Sequence, residues 1–123
     1  MLVVDDEPLV CEIGRRFLRE GGYGCVVAEN VERALEMIGT TRVDAAILDV
    51  RLPGKGSGLD LLAILRQRAP MANIPVLIMT GSVLTEDEEA AITRQRGYLF
   101  YKPEGFDTII KFLDQLTGRD RCD

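Results

Sequence analysis

A chain of 123 residues, 46% hydrophobic and 28% charged, has the balance of one soluble globular domain and leaves little room for a second. A net charge of −5 and a pI near 4.8 argue against direct nucleic-acid binding, because an acidic surface repels phosphate backbones. No apolar run approaches a membrane span, no secretory signal pattern opens the chain, and three dispersed cysteines without a CxxC pair speak against a disulfide framework or a zinc site. A reducing, cytoplasmic setting is expected. Histidine is absent, so any chemistry falls to carboxylates, hydroxyls and lysine.

Leu2-Val3-Val4 reads as a buried strand that ends at Asp5-Asp6-Glu7. Pro8 suits the first turn of a helix, and Leu9, Ile13 and Phe17, spaced by four, predict its buried face. Gly21-Gly22 stops that helix. Cys25–Ala28 is a second strand, and Asn30 is placed to cap a helix carrying Val31, Ala34, Leu35 and Ile38, closed by Gly39. Asp44–Leu48 is a third strand, apolar on both faces as in a parallel sheet, running straight into Asp49. A loop with Pro53, Gly54 and Gly56 precedes a helix marked by Leu59, Leu61, Leu62 and Leu65, which Pro70 ends. Pro75–Met79 is a fourth buried strand ending at Thr80. Thr85 and Glu88 form a capping box for a helix reaching about Arg96. Tyr98–Tyr101 is the fifth strand, ending at Lys102-Pro103, and a last helix carries Phe106, Ile109, Ile110, Leu113 and Leu116. Five strands alternating with five helices predict an α/β, doubly wound parallel sheet with helices on both faces.

The polar residues of interest all follow strands. Asp5 and Asp6 follow the first, Asp49 the third, Thr80 the fourth and Lys102 the fifth. In an open parallel sheet those ends share one edge, where such folds bind ligands. Crowded carboxylates repel unless a cation sits among them, and Mg²⁺ prefers one or two carboxylates plus water and phosphate oxygens. A carboxylate can also act as a nucleophile toward phosphorus, with lysine and a hydroxyl stabilising the transferred group.

Val3-Val4-Asp5-Asp6-Glu7-Pro8, Leu48-Asp49-Val50 with Leu52-Pro53-Gly54, Met79-Thr80-Gly81 and Lys102-Pro103 together resemble the receiver domains of two-component response regulators over nearly the whole chain. The Met-Thr-Gly and Pro-Gly segments are most similar to receivers attached to hybrid sensor kinases. The resemblance implies a flavodoxin-like sheet of order 2-1-3-4-5, a receiver domain over residues 1–117 and a polar tail over 118–123. It implies Asp49 as phosphoacceptor, Asp6 as a direct Mg²⁺ ligand, Asp5 acting on the metal through water, and the backbone carbonyl of Arg51 completing the protein's share of the shell. Thr80 and Lys102 would contact the phosphoryl group, a cis Lys102-Pro103 bond would aim the lysine, and Gly81 would leave room for the donor. The implied partners are a histidine kinase or histidine phosphotransfer protein, an output domain in a longer protein, and a second copy through the face of helix four, strand five and helix five. Neither nucleic acid nor membrane is an expected partner.

The sequence departs from the family in four places. The glycine expected eight residues after the phosphoacceptor falls nine after it, at Gly58, so one residue is inserted in Gly54-Lys55-Gly56-Ser57. Leu99 stands where an aromatic switch residue is common, flanked by Tyr98 and Tyr101, with Tyr98 on the opposite strand face. Glu104-Gly105 replaces the usual phenylalanine after Lys-Pro, and Phe106 is placed to fill that space. Strand one is short by a residue or two, which points to a trimmed start.

Two other functions compete. Aspartate-nucleophile phosphatases carry a second aspartate two residues after the nucleophile, where this chain has Arg51. Phosphorylation-independent, receiver-like interaction modules often lose the acceptor or the lysine, and both are present here. Gly54-Lys55-Gly56-Ser57-Gly58 is not a Walker-type phosphate loop, because Asp49 stands where that motif needs its first glycine. Glu86–Glu89 suit a solvated helix start, and Cys11 and Cys25 suit packing.

Overall fold

The apolar runs become five parallel strands: β1 (Leu2–Val4), β2 (Val26–Ala28), β3 (Ala46–Asp49), β4 (Val76–Thr80) and β5 (Tyr98–Tyr101). The structure is a computed structural model that describes residues 1–54, 56–68, 71–81, 83–101, 111–112 and 114–115. The strand order is β2-β1-β3-β4-β5, as the resemblance implies. Strands β1, β3 and β4 are buried along their whole length, which is why their sequences are apolar without alternation. Between the strands lie α1 (Pro8–Glu20), α2 (Val31–Thr40), α3 (Gly58–Gln67) and α4 (Glu86–Arg94), with a short 3₁₀ turn at Met71–Asn73 that no sequence signal announced. Lys111, Phe112, Asp114 and Gln115 are helical. Pro70, Lys102 to Ile110, Leu113 and residues 116–123 lie outside the described residues, and with them the expectations for Lys102-Pro103, Glu104-Gly105, Phe106 and the polar tail.

The sheet divides the core in two. On one face Val31, Ala34 and Ile38 of α2, Leu61, Leu62 and Leu65 of α3 and Ile92 of α4 pack against Leu2, Val4, Leu48 and Ile78. On the other, Val10 and Leu18 of α1, with Phe112, pack against Val3, Ile47, Leu77 and Met79. Each fully buried Leu or Ile contributes roughly 1.5–3 kcal/mol. Strand β5 alternates as expected: Leu99 joins the first cluster and Phe100 the second. The rings of Tyr98 and Phe100 meet Phe112 edge-on, at centroid distances of 4.8 and 5.3 Å.

Helix α1 corrects the sequence reading. Leu9, Ile13 and Phe17 are 71%, 38% and 36% exposed, whereas Cys11, Gly14 and Leu18 are buried. Steps of four residues advance a stripe by about 40° each on a 3.6-residue turn, so a pure four-spacing winds off the contact. Spacings of three and four keep the buried set in line, and the small Cys11 and Gly14 let the helix approach the sheet. Gly39 does not close α2, which runs on to Thr40 before Thr41 turns extended.

The N-caps read from the sequence, Asn30 and Thr85, are in place. Asn30 Oδ1 accepts from Arg33 N–H at 2.8 Å. Thr85 and Glu88 close a reciprocal capping box on α4, and Ser57 and Asp60 close another on α3. Arg66 of α3 donates to the carbonyls of Ile74 (2.6 Å), Gln95 (2.8 Å), Arg96 (3.2 Å) and Ala72 (3.3 Å), tying the approaches to β4 and β5 to one helix.

Candidate phosphoacceptor and metal site

The strand order reverses direction beside β1, since β2 lies to one side and β3 to the other. A crevice opens at such a switch point, outside the carboxyl ends of the strands. Asp5 and Asp6 leave β1 on one wall, and Asp49 ends β3 on the other. One carboxylate oxygen from each of Asp5, Asp6 and Asp49 lies within 4.8 Å of the others. Asp5 and Asp49 are buried and Asp6 is exposed, so the group opens to solvent on one side. A hollow of about 400 Å³ at the other end of the strands, lined by Thr40, Val43, Asp44 and Ile74, contains none of these carboxylates.

Local hydrogen bonds orient the Asp5 and Asp49 carboxylates. Asp5 N–H continues the β2 ladder by donating to Ala28 O at 3.1 Å, and Asp5 Oδ1 accepts from Glu7 N–H at 3.0 Å. Cys11 Sγ donates to Asp5 O at 3.2 Å, and burial first, then the Asp5 charge, pushes its thiol pKa up. Asp49 Oδ1 accepts from Arg51 N–H at 3.2 Å. These bonds hold the side chains of adjacent loops toward one point.

Gly58 sets the position of Asp49. It is the first residue of α3, and its N–H donates to Val50 O at 3.1 Å. A Cβ built on Gly58 would collide with the Asp49 carbonyl oxygen and lie 2.8 Å from its carbonyl carbon. The inserted residue therefore leaves this close approach intact. The intervening loop absorbs it through Gly54 and Gly56, at φ 82° and 93°, backbone that side-chain-bearing residues rarely adopt.

Thr80 ends β4 and is fully buried, one residue past the Asp49↔Met79 pairing. It pairs in register with Tyr101, which precedes Lys102. Lys102 itself lies outside the described residues. The position of Leu99 is filled by an aliphatic side chain in the core rather than a mobile ring.

Sequence reasoning missed one link. Arg51 reaches across to α4 and grips Glu88 with both terminal guanidinium nitrogens, Nη1 to Oε2 and Nη2 to Oε1, the latter at 3.0 Å. The Arg51 hydrogen bond, followed by the Thr85 backbone N–H, holds the Glu88 carboxyl below the usual carboxylate range. The Glu88 hydrogen bond, with the charges of Glu88 and Asp49, tightens the guanidinium's hold on its proton. An arginine beside the acceptor and an acidic helix start were both visible in the sequence, but their pairing depends on the fold.

The fold and the carboxylate group define a receiver-type site. The chain belongs to the response regulator receiver domain family, which matches residues 1–114. It is 34% identical over 119 residues to the probable transcriptional regulatory protein TcrX of Mycobacterium tuberculosis, covering 97% of this chain and 50% of TcrX. The chain thus spans half the length of that relative. The receiver domain of Francisella response regulator 1452 superposes with a TM-score of 0.81 at 28% identity, covering 98% of this chain and 97% of that one. A Burkholderia pseudomallei response regulator, described with a phosphorylated aspartic acid and a calcium ion, superposes with a TM-score of 0.76 at 27% identity, covering 89% and 62%. This is a signalling domain of two-component systems. Among the described residues no helix is long and apolar enough to cross a membrane.

Proposed function

We propose that Asp49 is the phosphoacceptor of this receiver domain and that Asp5, Asp6 and Asp49, with the Arg51 backbone carbonyl, hold Mg²⁺ beside it. The observation that carries this is the approach of three carboxylates, two of them buried, to within 4.8 Å of one another. Hard oxygen donors grouped so closely fit a divalent cation, which would offset their repulsion. When bound, Mg²⁺ supplies positive charge to the phosphoryl oxygens. An Asp49 carboxylate oxygen bonds to phosphorus as the donor's bond breaks, and the bonding pair leaves with the donor, an imidazole nitrogen when a phosphohistidine serves. Thr80 Oγ1 donates to a phosphoryl oxygen, and Lys102 balances its charge. The aspartyl phosphate of the Burkholderia relative supports the same chemistry here.

The domain so read covers residues 1–117. It is a substrate of a histidine kinase or histidine phosphotransfer protein that assists its own phosphorylation and dephosphorylation. It works in the cytoplasm, passes its state to an output domain, and pairs with a second copy through the face of helix four, strand five and helix five. The test is intact-mass analysis after treatment with acetyl phosphate and Mg²⁺. The reading expects one phosphoryl group on the wild type, none on Asp49→Asn, and a strong loss on omitting Mg²⁺. Equal labelling of Asp49→Asn would overturn the assignment. Absence of labelling would return the chain to the phosphorylation-independent interaction module.

A further inference from the structure

The Arg51–Glu88 pair joins the two segments that a switch must coordinate. Arg51 lies in the loop after Asp49, and its backbone N–H already donates to Asp49 Oδ1 at 3.2 Å. Glu88 is the third residue of α4, where its Oε1 also accepts from Thr85 N–H at 2.9 Å. Thr85 Oγ1 accepts in return from Glu88 N–H at 3.1 Å. One carboxylate therefore closes the first turn of α4 and binds the acceptor loop. Among the described residues, Ile92 is the buried residue of α4, Leu84 anchors its approach and Arg66 holds the Gln95 carbonyl at its far end, so the Glu88 pair is the side-chain tie at its first turn that reaches the acceptor loop. Glu88 is largely shielded while Arg51 is half exposed, so the arginine is the partner with room to move.

Building on Asp49 as phosphoacceptor, we propose that Arg51 is a positioning residue shared between Glu88 and the phosphoryl group on Asp49, so that phosphorylation draws the guanidinium off Glu88 and loosens the first turn of α4. A phosphoryl group adds about −1.5 to −2 charge and offers three acceptor oxygens, against one charge on Glu88. Guanidinium binds phosphate bidentately as readily as carboxylate, so the exchange keeps two strong hydrogen bonds. Glu88 keeps its Thr85 partner, so α4 stays capped but is no longer tied to the loop.

Amide hydrogen exchange at residues 85–89 of the 123-residue chain tests this, with and without acetyl phosphate and Mg²⁺, while intact mass reports the phosphorylated fraction of each sample. Phosphorylated wild type should exchange about two- to fivefold faster there than unmodified protein, the scale of one exposed ion pair. Glu88→Gln keeps the carbonyl acceptor of the capping box but not the charge. It should exchange faster before phosphorylation and respond little after, and Arg51→Gln should do the same. A full phosphorylation response in either variant, at equal phosphorylated fraction, overturns the role of Arg51 and leaves Asp49 standing. Absence of a phosphoryl mass gain on wild type overturns both.

Discussion

Gly58→Ala puts a methyl group into the backbone that carries Asp49. The new Cβ would overlap the Asp49 carbonyl oxygen, with the carbonyl carbon at 2.8 Å and Val50 Cα at 3.2 Å. These are main-chain atoms in and beside a fully buried strand, so no side chain can swing aside. Overpacking costs about 1–3 kcal/mol, and a backbone collision belongs at the upper end. For a domain of this size each kcal/mol moves the melting temperature by about 4 °C, so a drop of about 10 °C is expected. Gly39→Ala is the control. Nothing lies within 4 Å of its Cβ position, and it sits inside α2, so alanine should stabilise by about 0.5–1 kcal/mol. Calorimetric melts at neutral pH, in fixed Mg²⁺ and without phosphodonor, read both. A Gly58→Ala melting point within about 2 °C of wild type would refute the close approach and the placement of Asp49 built on it.

Removing Arg66 as Arg66→Ala strips its donors from the carbonyls of Ile74, Ala72 and Gln95, and the chemical-denaturation midpoint should fall by an amount worth about 1–3 kcal/mol. Asn30→Ala loses the 2.8 Å cap on α2 and should cost about 1 kcal/mol by the same measurement, an effect that Asn30→Asp should largely spare. Burial raises the Cys25 thiol, partly offset by the N-terminal amine, Arg15 and Arg19. Because its folded value lies above the unfolded one, its contribution to stability is complete at neutral pH and is lost as pH rises through the thiol range. Alkylation at Cys25, mapped by peptide mass, should therefore need a more alkaline medium in folded than in urea-unfolded protein.

The strands and caps were legible because they depend on short stretches of chain. Val76–Thr80 has no polar residue before its end, and Asn30 and Thr85 cap through bonds only three residues long. The convergence of Asp5, Asp6 and Asp49 was legible through topology, since strand ends of a parallel sheet share an edge. Helix α1 was misread because both a four-spaced stripe and the true one contain apolar residues. The exposed Leu9 looks more hydrophobic than the buried Gly14, and only the sheet's proximity requires a small residue there. The Arg51–Glu88 pair spans 37 positions and joins a loop to a helix, so no local pattern encodes it.

The bond from Gly58 N–H to Val50 O makes a noose of the segment between them. Its neck is a backbone hydrogen bond of 3.1 Å, flanked by the Arg51 N–H bond to Asp49 on one side and the Ser57 cap of α3 on the other. The entropy of closing such a ring grows only logarithmically with its size, so one residue more or less is nearly free. The extra residue here is a permitted variation in the reach of the rim, with the seat of the chemistry held at a fixed depth.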